Sequence, residues 1–222
     1  MRIPKTSARV SVSALSAAVL GACALDDTHG TDSDRLFPTA RIVLPFDGAA
    51  RDGPSPAGER RRRFHHGIEV DLSGTAGEFD LSDGIGRTDY SVVHGSLAYR
   101  FGIEASRVEV KGLVGVATDR IDLSDNPMVD VEESYFGPMF GVETRVRARD
   151  WFEPYARATW SLMERASSSS QLEFGAVFPV VDEFELFVAY RHWRGLYGDA
   201  VPVDRDLDAR WRGIAIGFGV QF

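Results

Sequence analysis

The chain carries one cysteine, Cys23, in 222 residues, so no disulfide can form within it. It contains no uncharged apolar run of 18 residues, which excludes a transmembrane helix. Basic residues are in the minority: 25 Lys and Arg stand against 33 Asp and Glu, a formal net charge of −8. That balance argues against nucleic acid as a partner. Glycine-rich phosphate loops are missing, because many glycines fall inside extended segments, where they relieve crowding and permit bending. Zinc-type ligand spacing is missing too, since His65 and His66 are only two adjacent imidazoles. Asp119, Asp122, Asp125, Asp130, Glu132 and Glu133 make an acidic stretch without the residue order of an EF-hand, and they read as a solvated loop. No cofactor and no metal are expected.

Acid is also missing from the start of the chain, where none precedes Asp26. Arg2, Lys5 and Arg9 form a positive stretch, and the apolar run Val10 to Leu20 that follows is shorter than the ~20 residues that span a bilayer. This order predicts a secretory signal. Leu20-Gly21-Ala22-Cys23 resembles a bacterial lipobox, which implies acylation of Cys23 as the first mature residue. Ordinary cleavage at Ala22-Cys23-Ala24 is the alternative reading. The expected organisation is a signal over residues 1–22, a periplasmic tether over 23–63 and a folded domain over 64–222. Within the tether, Gly53-Pro54-Ser55-Pro56 reads as a linker and Arg60 to Arg63 as a basic cluster, either solvated or facing lipid phosphates. Ala40 to Phe46 reads as a short extended segment outside the domain.

What is present is alternation. From Gly213 to Phe222 large apolar residues (Ile214, Ile216, Phe218, Val220, Phe222) alternate with small or polar ones, the period of a β-strand. Eight such strands are predicted, at about Phe64–Leu72, Tyr90–Phe101, Val108–Thr118, Tyr135–Ala148, Phe152–Met163, Ser170–Phe178, Phe184–His192 and Arg210–Phe222. Long polar connections are expected to alternate with tight ones at 102–107, 149–151 and 179–183. On one parity the strands carry no Asp, Glu, Lys or Arg, although 26% of the chain is charged. Lipid-facing barrel walls exclude charge at about 2–4 kcal/mol per Arg or Lys at the midplane, which would account for the pattern. The opposite parity collects Glu69, Asp71, Glu109, Asp119, Glu143, Glu153, Glu173 and Glu185 with Arg100, Lys111, Arg145, Arg147, Arg157 and Arg191. Inside an eight-stranded barrel these side chains would fill the lumen and pair across it. Aromatic residues mark both rims: Tyr99, Phe101, Phe152, Phe184 and Phe222 at one, Tyr90, Phe136, Trp160 and Tyr190 at the other.

These features resemble the small eight-stranded outer-membrane β-barrels of the OmpA/OmpX type, over about Phe64 to Phe222. The resemblance implies an all-β, up-and-down antiparallel barrel in the cell outer membrane, with both barrel ends periplasmic. It also implies contact with outer-membrane lipids and lipopolysaccharide, and a possible extracellular ligand at the loops. A non-enzymatic structural or surface-interaction role with a plugged lumen is expected; a narrow solute pore and a lipid A-modifying hydrolase are the alternatives. His94-Gly95-Ser96 has the His-x-Ser form of lipid A deacylases, but both side chains fall on the inward parity, so His94 reads as a hydrogen-bonded lumenal residue. His192 lies on the outward parity beside Arg191 and Trp193, with no serine following on the same wall.

Overall fold

The computed structural model describes residues 35–46, 63–81, 86–126, 129–181, 183–201 and 205–221. The expected signal over 1–22, Cys23, residues 24–34 and 47–62 of the expected tether, and Phe222 lie outside the described residues. Nine strands close into one barrel: β1 Arg35–Pro45, β2 Arg63–Leu81, β3 Gly86–Ala105, β4 Val108–Asn126, β5 Val129–Val146, β6 Glu153–Leu162, β7 Ser168–Val181, β8 Phe184–Val201 and β9 Arg205–Gln221. Each strand pairs antiparallel with the next, and β1 closes the ring by pairing parallel with β9.

This corrects the expected count of eight antiparallel strands. The extended segment expected within the tether, Ala40 to Phe46, is mostly the second half of β1, which lies between β2 and β9. It runs parallel to β9, so it begins at the rim opposite the one where β9 ends. The two ends of the barrel therefore do not share a rim, as the even count required. We call them the amino-terminal rim, where β1 starts, and the carboxy-terminal rim, where β9 stops.

Proline explains why β1 is easily overlooked and why it is tolerated. Pro38 has no N–H to donate, and a proline inside a strand normally demotes it to an edge. At Pro38, β1 is paired with β9 only, because its ladder with β2 begins at Thr39; at Pro45 it is paired with β2 only, because its ladder with β9 ends at Val43. Pro138, Pro154 and Pro179 follow the same rule, each lying where one neighbouring ladder has already ended. The stagger of the barrel leaves such one-sided positions, and every proline of the described strands occupies one.

The second correction concerns the connections at the amino-terminal rim. The expected long polar loops are mostly strand: β4 continues to Asn126 and β5 resumes at Val129, while β2 and β3 extend to Leu81 and from Gly86. Strands of 17–20 residues (β2 to β5, β8 and β9) are about twice the 9–11 residues that cross a bilayer. They continue because their inward positions remain apolar beyond the charged level: Tyr90, Val92, Ile121, Leu123 and Tyr135 are all buried. Tyr90, expected in an outer aromatic belt, points inward instead, on the parity of Val92 and His94.

β6 and β7 are joined by a tight turn in which Ser167 N–H donates to Glu164 O at 3.0 Å and both central residues have positive φ, Arg165 at 54° and Ala166 at 56°. This is the type I′ hairpin geometry, which favours glycine. L-residues in the left-handed region cost about 1–2 kcal/mol. Ala166→Gly is expected to stabilise the barrel by up to about 1 kcal/mol in a denaturant titration; an unchanged or lower midpoint would count against the turn assignment.

Candidate functional site

The lumen has two storeys of opposite polarity. Near the carboxy-terminal rim the outer wall is apolar, with Leu97, Val114, Phe140, Trp160, Phe174, Val188 and Ile216 each more than 40% exposed. At the same level the inside is ionic. Toward the amino-terminal rim the arrangement reverses: Arg120, Glu132, Arg194, Arg210 and Arg212 are on the outside, while the inside is aromatic.

The ionic storey is built around Arg41 of β1, which is completely buried. Its Nε donates to Asp71 Oδ2 at 3.0 Å, and its guanidinium lies 3.6–3.7 Å from Glu69, Glu143 and Glu173. Arg157 Nη1 reaches Glu69 at 2.5 Å and Glu143 at 3.2 Å. Arg191 Nε donates to Glu173 at 2.8 Å, and the Tyr155 hydroxyl donates to the same carboxylate at 3.1 Å. Nearer the rim, Arg145 binds Glu185 through both terminal nitrogens at 2.8 and 3.0 Å and Glu143 through Nε at 2.7 Å. Lys111 bridges Glu109 at 3.0 Å and Glu143 at 3.1 Å, and Arg100 lies 3.7 Å from Glu69.

Six cations (Arg41, Arg100, Lys111, Arg145, Arg157, Arg191) thus meet six carboxylates (Glu69, Asp71, Glu109, Glu143, Glu173, Glu185). Arg147 and Glu153 sit apart at the carboxy-terminal rim, where exposed Arg147 contacts Glu104 at 2.9 Å and Glu153 at 3.3 Å. Arg41 is the site residue that the alternation argument missed. Its only sequence signal was a lone charge in an otherwise apolar alternating stretch.

The aromatic storey sits directly above. Phe187 and Phe37 pack against the guanidiniums of Arg41 and Arg191, at 5.0 and 5.5 Å, so aromatic rings abut the ionic network. Trp193 then packs against Trp211 at 5.1 Å, His94 at 5.7 Å and Phe37 at 6.4 Å between ring centroids. His94 Nδ1 is 2.5 Å from Asp119 Oδ1, and the Tyr197 hydroxyl donates to Asp119 Oδ2 at 2.9 Å. Gly195 makes that possible, because a Cβ there would fall 2.1 Å from the Tyr197 ring that folds back over it. Gly217 does the same for β1: a Cβ would lie 2.1 Å from the Thr39 carbonyl and 2.5 Å from the Phe187 ring.

A polar cavity of about 240 Å³ opens at the carboxy-terminal rim, lined by Arg100, Glu109, Lys111, Arg145 and Glu185 among others. It stops at the ionic storey. Within the acidic stretch, strand alternation turns Asp119 inward and Asp122 and Glu132 outward, so these three do not converge; the Asp125 and Asp130 side chains lie outside the described residues. Among the described residues no group of three or more His, Cys, Asp or Glu is arranged to hold a metal ion. No protein-family profile, curated protein or solved structure matches the chain.

Proposed function

We propose that this chain is a membrane-spanning β-barrel of the outer-membrane type with a closed lumen, serving a structural or surface-interaction role and not catalysis or bulk transport. The observation that carries this reading is the simultaneous reversal of both faces. Where the wall is apolar outside it is ionic inside, the arrangement that hydrocarbon demands; where it is charged outside it is aromatic inside, as in water. A soluble barrel has no reason to change sign halfway along its own strands. The apolar level covers about one bilayer crossing, from Val108 to Thr118 on β4 and Phe136 to Val146 on β5.

The reading rests on these faces and not on strand number, since bacterial outer-membrane barrels have even counts and this one has nine strands. The apolar level begins at the carboxy-terminal rim, and the strands project past it only at the amino-terminal rim. Short periplasmic turns and longer outer portions then put the carboxy-terminal rim in the periplasm. The pore alternative has less support, because the buried rings of Phe37, Phe187 and Trp193 and the paired ions occupy the lumen.

Val188, exposed in mid-β8, and Ala189, buried next to it, test the reading. Val188→Arg is expected to weaken folding into bilayers by about 2–4 kcal/mol. A spin label at 188 is expected to meet lipid-dissolved oxygen while one at 189 does not. Equal accessibility at the two positions would sink the membrane reading.

A further inference from the structure

β2 to β9 form an unbroken antiparallel run, and β1 is the strand that joins its two ends. Because β1 is antiparallel to β2 and parallel to β9, it fills a seam one strand wide between two edges that run opposite ways. It is held there by seven register pairs to β2 and nine to β9, against nineteen between β2 and β3. Both flanks are shaped to its backbone: a Cβ on Gly67 would fall 2.5 Å from the Leu44 carbonyl oxygen, and one on Gly217 would fall 2.1 Å from that of Thr39. The seam also selects for charge. β1 buries Phe37, Thr39, Arg41 and Val43, and Arg41 enters among Glu69 and Asp71 of β2, Glu143 of β5 and Glu173 of β7. Without β1, six carboxylates would face five bases, and two rows of backbone N–H and C=O groups would become open edges that pair with another strand.

The connection to β2 sets β1 apart. Pro45 is paired with Gly67, and Phe46 N–H donates to His66 O at 2.9 Å, so β1 and β2 meet as antiparallel neighbours that two to five residues could join. The sequence places seventeen residues there, 46–62, whereas the other seven connections between the described strands have two to six. Such a connection reaches about 60 Å, farther than the roughly 20 Å backbone width of a nine-stranded barrel. We propose that β1 is exchanged between copies: the β2–β9 seam accepts β1 of a second copy, so that each chain supplies the other's Arg41. Exchange preserves every contact of the closed barrel and requires only that the connections cross, which is the low-cost route to a dimer. The long connection spans the two barrels without strain, and loop-closure entropy rises only slowly with its length.

The test uses the full chain folded in detergent micelles, with Cys23→Ser so that introduced thiols are the only ones. Ile42 and Val70 are directly opposed across the seam and share the outward parity, and opposed Cβ atoms lie about 4.5–5.5 Å apart. One chain carries Ile42→Cys and a differently tagged chain carries Val70→Cys; the two are folded together and treated with a short bismaleimide. The cross-linked heterodimer is expected at least fivefold above that formed when the second chain instead carries Val142→Cys, an exposed position on β5 across the barrel from β1. Adding Arg41→Gln to the first chain is expected to lower the yield to the Val142 level, while adding Arg120→Gln leaves it unchanged. Equal yields with Val70→Cys and Val142→Cys would overturn the exchange. One chain carrying both Ile42→Cys and Val70→Cys is expected to cross-link internally when folded alone at high dilution, and absence of that link would remove the seam itself.

Discussion

Arg41→Gln is expected to destabilise the barrel by about 3–5 kcal/mol, the cost of leaving buried charge without its partner. The guanidinium is wholly enclosed, hydrogen-bonded to Asp71, and within 4 Å of three further carboxylates. Removing it leaves six acids facing five bases, with the deficit at the centre and not at the rim where water can compensate. Its terminal nitrogens make no hydrogen bond in the structure, so their contribution is charge placed among carboxylates. Arg120→Gln breaks an exposed pair and is expected to cost no more than about 1 kcal/mol, which fixes the scale of a surface effect. Urea unfolding of the refolded protein measures both. Adding Asp71→Asn should recover part of the Arg41→Gln loss, with a coupling of about 0.5–3 kcal/mol. If Arg41→Gln unfolds within 1 kcal/mol of the wild type, the ionic storey is not held together by its charge balance.

That residue also marks the limit of what alternation can reveal. The two faces of β4, β5, β8 and β9 were legible because a long strand repeats its pattern, and Glu69, Glu143, Glu173, Arg157 and Arg191 follow from parity alone. Which acid meets which base was not legible. Arg157 reaches Glu69 across 88 residues of chain only because the ring closes with one particular stagger. β1 was hidden because its eleven residues carry two prolines and the buried charge of Arg41, features that argue against a central strand unless the neighbouring ladders are known to end there. The long strand extensions were hidden for a related reason. Asp122 and Glu132 face water on a strand as readily as on a loop, and only the buried Ile121, Leu123 and Tyr135 on the opposite parity distinguish the two. Local composition registers exposure; it does not register whether the other face is covered.

The parallel closing pair has a consequence for the segment before it. Because β1 and β9 run the same way, chain preceding Arg35 and chain following Gln221 leave the barrel at opposite rims. Arg35 is paired with Gly213, next to Arg212, which places the start of β1 at the upper edge of the apolar level. If the carboxy-terminal rim is periplasmic, as proposed, a cleavable tag inserted before β1, after Gly30, is expected to be cut by protease added to intact cells. The same tag after Asp52, in the β1–β2 connection at the other rim, is expected to be cut only after the outer membrane is opened. Eleven residues lie between Cys23 and Arg35, twelve steps of chain with a reach of at most about 43 Å. The direct way back across the membrane is blocked either by lipid, where unpaired backbone is excluded, or by the filled lumen. An acyl group on Cys23 would therefore sit in the outer leaflet, on the cell surface and not beside the periplasmic face as an even-stranded barrel would require. Cleavage in the opposite order, with the Asp52 site open on intact cells and the Gly30 site protected, would invert the barrel in the membrane. Protection of both sites on intact cells would contradict the parallel β1–β9 pairing itself.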